Sequence, residues 1–288
     1  MDKFDWPQVR AYYEARNARW AATGREDDPE AFVEVVAGGG PLWFARRLAR
    51  SQGLVYRSLF DLVPPARPAA TALDVGCGAG RWAPLLSARG YRPVGIDLQP
   101  DLVLAARLLH PQGTFLNVSV QDYVPEGPFD LVSSVEVLQH NPPEQQRGVI
   151  RKLRDCLIPG GHAIVLEGTG NDPRPQAFYR PVADWIDVFE RSGFRVVATR
   201  RYYYHLALRA STRLASVLAT RGPNGDGPPR DSDPRPGEDA ATPRSKRGRL
   251  RRFAFRAVVE VEAPIESMLT RKNAALPHAN CGFLFRAV

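Results

Sequence analysis

An α/β fold, with helices covering both faces of a largely parallel sheet, is predicted by two observations. Short apolar runs with little polar alternation recur between residues 70 and 197, and helix-length amphipathic stretches separate them. A strand exposed on one face alternates apolar and polar residues; a strand buried on both faces does not, and strands that alternate with helices build parallel sheets. The runs read TALDV, RPVGI, TFLNV, FDLVSSV, HAIVLE and FRVVA.

Before the first run, residues 1–68 read as a helical N-terminal cap or lid. WPQVRAYYEARNARWAA and PLWFARRLARSQGLVYRSLFDLV repeat aromatic and apolar residues at helical spacing, and Pro64, Pro65 and Pro68 end this part. Tyr12, Tyr13 and Trp20 either pack that helix or close over a ligand. The α/β domain then spans 69–288, with an insertion at about 202–278 before a closing strand, CGFLFRAV. Within the insertion, 202–220 is expected to be an apolar-faced helix and 257–271 another. Residues 221–256 are expected to be disordered, since RGPNGDGPPRDSDPRPGEDAATP holds almost nothing to bury.

Composition removes several classes of function. A hydrophobic content of 44% in 288 residues supports a real core. Three cysteines, Cys77, Cys156 and Cys281, exclude a disulfide scaffold and an all-cysteine zinc site, and the five histidines are scattered, so no metal is expected. No apolar run reaches the roughly 18 residues of a membrane span, and MDKFDWPQVR has no signal-peptide pattern, so a soluble, cytoplasmic protein is expected. The net charge of +8 is local. Residues 244–256, RSKRGRLRRFAFR, carry seven basic residues and no acid, which leaves +1 for the other 275. That balance excludes a uniformly basic nucleic-acid binder, and no stable nucleic-acid partner is expected. The basic run is a solvated segment or a weak contact for an anionic or membrane surface.

The sharpest chemical feature is LDVGCGAGRW, residues 73–82. Gly76, Gly78 and Gly80 let a buried strand turn tightly into a helix expected over 81–88, and let a ligand approach the backbone with no Cβ in the way. A dinucleotide fingerprint would place glycine at position 81, where Arg81 stands. Asp74, at the strand end, would repel a pyrophosphate and attract an ammonium, while Arg81 suits a carboxylate. A zwitterionic amino-acid tail satisfies both. Asp97 ends the second strand in GIDLQP, where a carboxylate takes both hydroxyls of a ribose. Leu98 beside it can cover an adenine face. Asp122, or the backbone near Val120 and Gln121 in SVQDY, can accept from the adenine amino group.

These motifs together resemble those of the class I S-adenosylmethionine-dependent methyltransferases. The glycine turn LDVGCGAG, the ribose acid in GIDLQP, the adenine loop VQDY, the fourth strand FDLVSSVEVLQH and the fifth LIPGGHAIVLE stand in family order over about residues 70–200. The resemblance implies a doubly wound, seven-stranded sheet with an antiparallel last strand. It implies S-adenosyl-L-methionine as cofactor and S-adenosyl-L-homocysteine as product. By that likeness Asp74, Gly76 and Gly78 hold the methionine part, Arg81 its carboxylate, and Asp97 the ribose. Val120, Gln121 and Asp122 hold the adenine, and Val135 and Glu136 flank the methionine part. Methyl transfer to a small-molecule acceptor (a natural product, sugar or lipid), at oxygen ahead of nitrogen or carbon, is the expected activity.

His140 follows the fourth strand at the sheet edge where ligands of open α/β sheets bind, so it is the candidate general base. The plain alternative is a histidine that fixes the HNPPEQQ loop. A sulfonium methyl is already activated, so holding acceptor and methyl in line can suffice without a base. Cys77 reads as a small filler in the turn rather than a nucleophile. Tyr202, Tyr203, Tyr204 and His205 are expected just after the sixth strand, beside an acceptor pocket. Two other functions fit the same motifs: methylation of a protein or RNA, served by the basic run, and a cofactor-binding protein without chemistry.

Overall fold

The computed structural model describes residues 42–170, 177–204, 264–265, 268–273 and 278–288. The first element is α1, Leu42–Phe60. It is followed by β1 (Thr71–Val75), α2 (Ala83–Ala88), β2 (Arg92–Asp97), α3 (Pro100–Leu109), β3 (Thr114–Asn117) and β4 (Phe129–Val135). A 3-10 turn over Leu138–His140 leads to α4 (Pro143–Asp155), β5 (Leu157–Gly168), α5 (Val182–Glu190), β6 (Phe194–Tyr204) and β7 (His278–Ala287).

The strands form one seven-stranded sheet in the order β3-β2-β1-β4-β5-β7-β6. Pairings from β3 through β5 are parallel, while β7 runs antiparallel to both β5 and β6. The doubly wound sheet and its antiparallel last strand are therefore as expected. All six apolar runs are strands.

The continuous apolar runs have the structural reason anticipated for them. Neighbouring residues of a strand point to opposite faces, and here both faces are covered. Leu131, Ile164, Leu166 and Leu284 pack with Val55, Tyr56, Leu59 and Phe60 of α1 and with Leu86 of α2. Their chain neighbours Val132, Ala163, Val165, Phe283 and Phe285 pack on the other face with Val149, Ile150 and Leu153 of α4 and Trp185 and Phe189 of α5. The rings of Phe189 and Phe285 stack at 4.1 Å. In α4, Gln146, Val149, Ile150 and Leu153 are buried at helical spacing; Pro143 and Glu144 suit its first turn, and Lys152 and Arg154 its last.

Helix α1 of the expected cap packs on the domain that follows: a single hydrophobic cluster crosses residue 68, and Val55, Tyr56, Leu59 and Phe60 are essentially inaccessible within it. Two sequence expectations change. Helix α2 begins at Ala83 rather than Arg81, because residues 78–82 are still turning. Strand β6 runs on to Tyr204, so the helix expected over 202–220 gives way to strand at its start, and Tyr202 is fully buried in the sheet. The first three-fifths of the expected cap, with Tyr12, Tyr13 and Trp20, lie outside the described residues. So do His205, the segment 221–256 and its basic run at 244–256.

Candidate functional site

Parallel pairing brings the carboxyl ends of β1, β2, β3 and β4 to one edge of the sheet. Val75 is level with Ile96 and with Ser134, and Asp97 is level with Asn117. Every predicted cofactor residue sits at this edge or one turn beyond it.

The glycine turn is tied to β2 by its backbone. Gly76 N–H and Cys77 N–H both donate to the Ile96 carbonyl, at 2.8 and 3.1 Å. Gly76 has φ +69°, and a Cβ there would lie 2.3 Å from Val137 Cγ2. An L side chain would thus meet both a disfavoured backbone region and a neighbouring side chain. The turn is a cradle that only hydrogen leaves open. Cys77 is buried, and burial with the nearby Asp97 and Asp74 pushes its thiol well up, which suits a filler and not a nucleophile.

Asp74 closes β1 and is 4% exposed. Ser133 Oγ donates to its Oδ1 at 2.5 Å, whereas its Oδ2 is buried with no hydrogen-bond partner. Burial, opposed by the Ser133 hydrogen bond, and the Asp97 charge raise the carboxyl to about 7, although Arg81 pulls it back. Tyr56 of α1 lies against Asp74 and Ser133, and its buried hydroxyl also lacks a hydrogen-bond partner. Orphaned buried oxygens cost free energy unless something completes them. An ammonium at Asp74 is the group whose chemistry does so.

Asp97 turns both carboxylate oxygens to the backbone: Gly78 N–H donates to Oδ2 at 2.8 Å and Gln99 N–H to Oδ1 at 2.9 Å. Each oxygen keeps acceptor capacity for a hydroxyl. Leu98 beside it is 47% exposed, free to cover a flat ring. The loop after β3 is drawn to the same place, since Val118 N–H and the Asn117 amide both donate to the Asp97 carbonyl. Val120 is buried there, while Gln121 and Asp122 are exposed. The Asp122 carboxylate accepts from Ser119 Oγ at 2.6 Å.

The opposite end of the site is a polar cluster. Arg81 donates through Nη1 to Gln52 Oε1 and through Nη2 to the Ala49 carbonyl, both at 2.5 Å. Its guanidinium lies over Trp82 at 4.3 Å, and Trp82 stacks on Tyr56 at 4.0 Å. Burial lowers Arg81 to about 10, against Glu136, Tyr202 and Asp74, which favour its charge. Glu136 follows β4 with φ +57°, and its Oε1 accepts from Gln52 Nε2 at 2.8 Å and from Asn280 Nδ2 at 3.1 Å. Val135, just before it, packs half-buried against the α1-side core.

His140 ends the 3-10 turn and is half-buried, with its Nε2 3.5 Å from the Gln139 amide nitrogen. The turn owes its shape to a residue absent from the sequence reading. Glu167, fully buried at the end of β5, accepts from Val137 N–H at 3.2 Å and Leu138 N–H at 2.9 Å through Oε1, and from Gln139 N–H at 3.0 Å through Oε2. Burial raises its carboxyl to about 8, opposed by these three N–H groups. A carboxylate ending the apolar run HAIVLEG was a visible signal. Gln52, Tyr56 and Asn280 carry no comparable mark in the sequence. Among the described residues, no group of three His, Cys, Asp or Glu could hold a metal ion, and no helix is long and apolar enough to cross a membrane.

Comparison with known proteins gives the same direction. Residues 45–210 match the sequence model of a family described as methyltransferase domain. A ubiquinone biosynthesis O-methyltransferase of Xanthomonas campestris is 39% identical over 103 residues, which is 33% of this chain and 42% of that protein. An uncharacterized methyltransferase of Synechocystis is 30% identical over 124 residues, 43% of this chain and 58% of the relative. The chain thus spans under two thirds of the length of these relatives. An S-adenosylmethionine-dependent methyltransferase of Mesorhizobium loti shares the fold, with a TM-score of 0.50 at 15% identity over 81% of this chain and 97% of that one. A solved chain from Galdieria sulphuraria does so with a TM-score of 0.52 at 15% identity over 90% and 98%.

Proposed function

The chain belongs to the methyltransferase-domain family of class I, S-adenosylmethionine-dependent enzymes, and we propose that it transfers a methyl group to an oxygen of a small-molecule acceptor. One observation carries the reading. The glycine turn is flanked by a buried carboxylate with an orphaned oxygen, Asp74, and by a half-buried guanidinium, Arg81, with a further acid, Asp97, at the next strand tip. This arrangement is complementary to a zwitterion joined to a ribose and hostile to a diphosphate. The oxygen acceptor is favoured by the likeness to the Xanthomonas O-methyltransferase over the cofactor-binding part of the chain.

The residues present fit S-adenosylmethionine. Asp74 and Arg81 would take the two charges of its amino-acid end, Gly76 and Gly78 would let it approach the backbone, and Asp97 would hold its ribose. Leu98, Val120, Gln121 and Asp122 would surround its base, with Val135 and Glu136 beside the methionine part. Bound there, the group supplies a methyl on a sulfonium, which needs little further activation. The chain's own work is then positional. The Glu167-held turn positions His140 just after Glu136, and α1 supplies Gln52 to the charged cluster. His140 would receive the proton that the acceptor hydroxyl gives up. An optional base fits this half-buried imidazole, which stands on a rigid turn.

Calorimetry tests the reading. S-adenosylhomocysteine is expected to bind the folded protein with a Kd in the micromolar range. Absence of binding heat from a sample with a cooperative melt would refute it.

A further inference from the structure

A cation drawn out of water is costly unless an anion completes it. Arg81 is half-buried, and its hydrogen-bond partners are two neutral oxygens, the Gln52 amide and the Ala49 carbonyl. Among the described residues it forms no ion pair. The nearest acid in this network, Glu136, is reached only through the same amide, which accepts from Arg81 with its oxygen and donates to Glu136 with its nitrogen. The two partners therefore fix which way the amide points.

Gln52 itself is 1% exposed and comes from α1, 29 residues from Arg81 and 84 from Glu136 in sequence. Asn280 of β7 steadies the same Glu136 oxygen from the far side. Closing the gap would let the guanidinium and the carboxylate neutralise each other. Keeping them one amide apart leaves the guanidinium available to an anion beside the glycine cradle.

We infer that Gln52 is a spacer: it holds Arg81 off Glu136 so that the guanidinium stays available to the carboxylate of a zwitterionic amino-acid tail, whose ammonium lies toward Asp74. Gln52 is a positioning residue, acting through its two neighbours. This rests on the cofactor reading above and adds to it a residue from the helix ahead of the glycine turn. Removing the spacer weakens recognition of the tail and leaves recognition of the nucleoside alone.

The test compares two ligands by calorimetry on the full chain: S-adenosylhomocysteine, which has the tail, and 5′-methylthioadenosine, which lacks it. Gln52→Met keeps the length and apolar bulk of the side chain but cannot bridge. It is expected to weaken S-adenosylhomocysteine at least tenfold and to change methylthioadenosine less than twofold. Gln52→Glu still accepts from Arg81 but repels Glu136, and the same selective loss is expected. Equal losses for both ligands mean a merely structural role and overturn the spacer, as does an unchanged S-adenosylhomocysteine affinity in Gln52→Met. Loss of the cooperative melt in both variants also overturns it, because the residue would then serve folding. A wild-type chain that binds neither ligand refutes the cofactor reading itself, a result distinct from these.

Discussion

Removal of the Glu167 carboxylate is the most informative perturbation of this fold, because one side chain shapes the turn that carries the candidate base. Its two oxygens accept three backbone N–H groups, two at Oε1 and one at Oε2. The site is fully buried, so water cannot replace a lost acceptor. An unsatisfied buried donor costs about 1–3 kcal/mol. In Glu167→Gln the amide oxygen can keep Val137 and Leu138, while its NH2 then faces the Gln139 N–H, leaving one donor orphaned at about 1–3 kcal/mol. In Glu167→Ala all three are orphaned, for about 3–9 kcal/mol before credit for relieving the desolvated carboxyl. Since a domain's total stability is roughly 5–15 kcal/mol, the alanine variant should be barely folded. Urea unfolding followed by circular dichroism reads both. With a slope of about 2 kcal/mol per molar, the glutamine variant should unfold roughly 0.5–1.5 M earlier than wild type. A glutamine variant within about 0.5 kcal/mol of wild type, or an alanine variant no worse than the glutamine one, would show that the three bonds do not hold the turn.

Three further outcomes are expected. Asp74, raised to about 7 in the folded chain against roughly 3.9 unfolded, gives a contribution to stability that is fully present below the unfolded value and lost as pH climbs through 7. Wild type should therefore lose stability relative to Asp74→Asn between about pH 4 and 7, and parallel ΔG-versus-pH curves would contradict this. Gly76→Ala should lower the melting temperature and abolish S-adenosylhomocysteine binding, since its Cβ meets Val137 Cγ2 at 2.3 Å and its φ of +69° costs an L residue about 1–2 kcal/mol; a variant that melts and titrates like wild type would sink the cradle. His140→Ala should lower kcat about 10²–10⁴-fold with a hydroxyl acceptor while S-adenosylhomocysteine affinity stays within about threefold, and an unchanged kcat assigns the imidazole to the loop instead.

Much of this molecule was legible in one dimension. Burial on both faces demands an unbroken apolar run, so the strands announced themselves. A chain reversal at positive φ demands glycine, so the turn at Gly76 did too. Asp74 and Asp97 stood out because a carboxylate at the end of an apolar strand is expensive without a purpose. Boundaries were less legible: Arg81 has helical character in sequence yet lies before α2, and the tyrosines after FRVVA continue β6 because β7 is there to pair with them, Tyr202 opposite Asn280.

What the amino-acid order determined by itself was local: which segments are strands, where the backbone must turn, and which acids sit at strand tips, since each follows from the chemistry of neighbouring residues. What only the tertiary structure decided was partnership. Gln52 meets Glu136 across 84 positions and Asn280 meets it across 144, while Glu167 reaches the turn at Leu138 from 29 positions away. Those meetings depend on strand order and on α1 folding back over β5, β6 and β7, and no spacing along the chain encodes a contact that the sheet must first assemble.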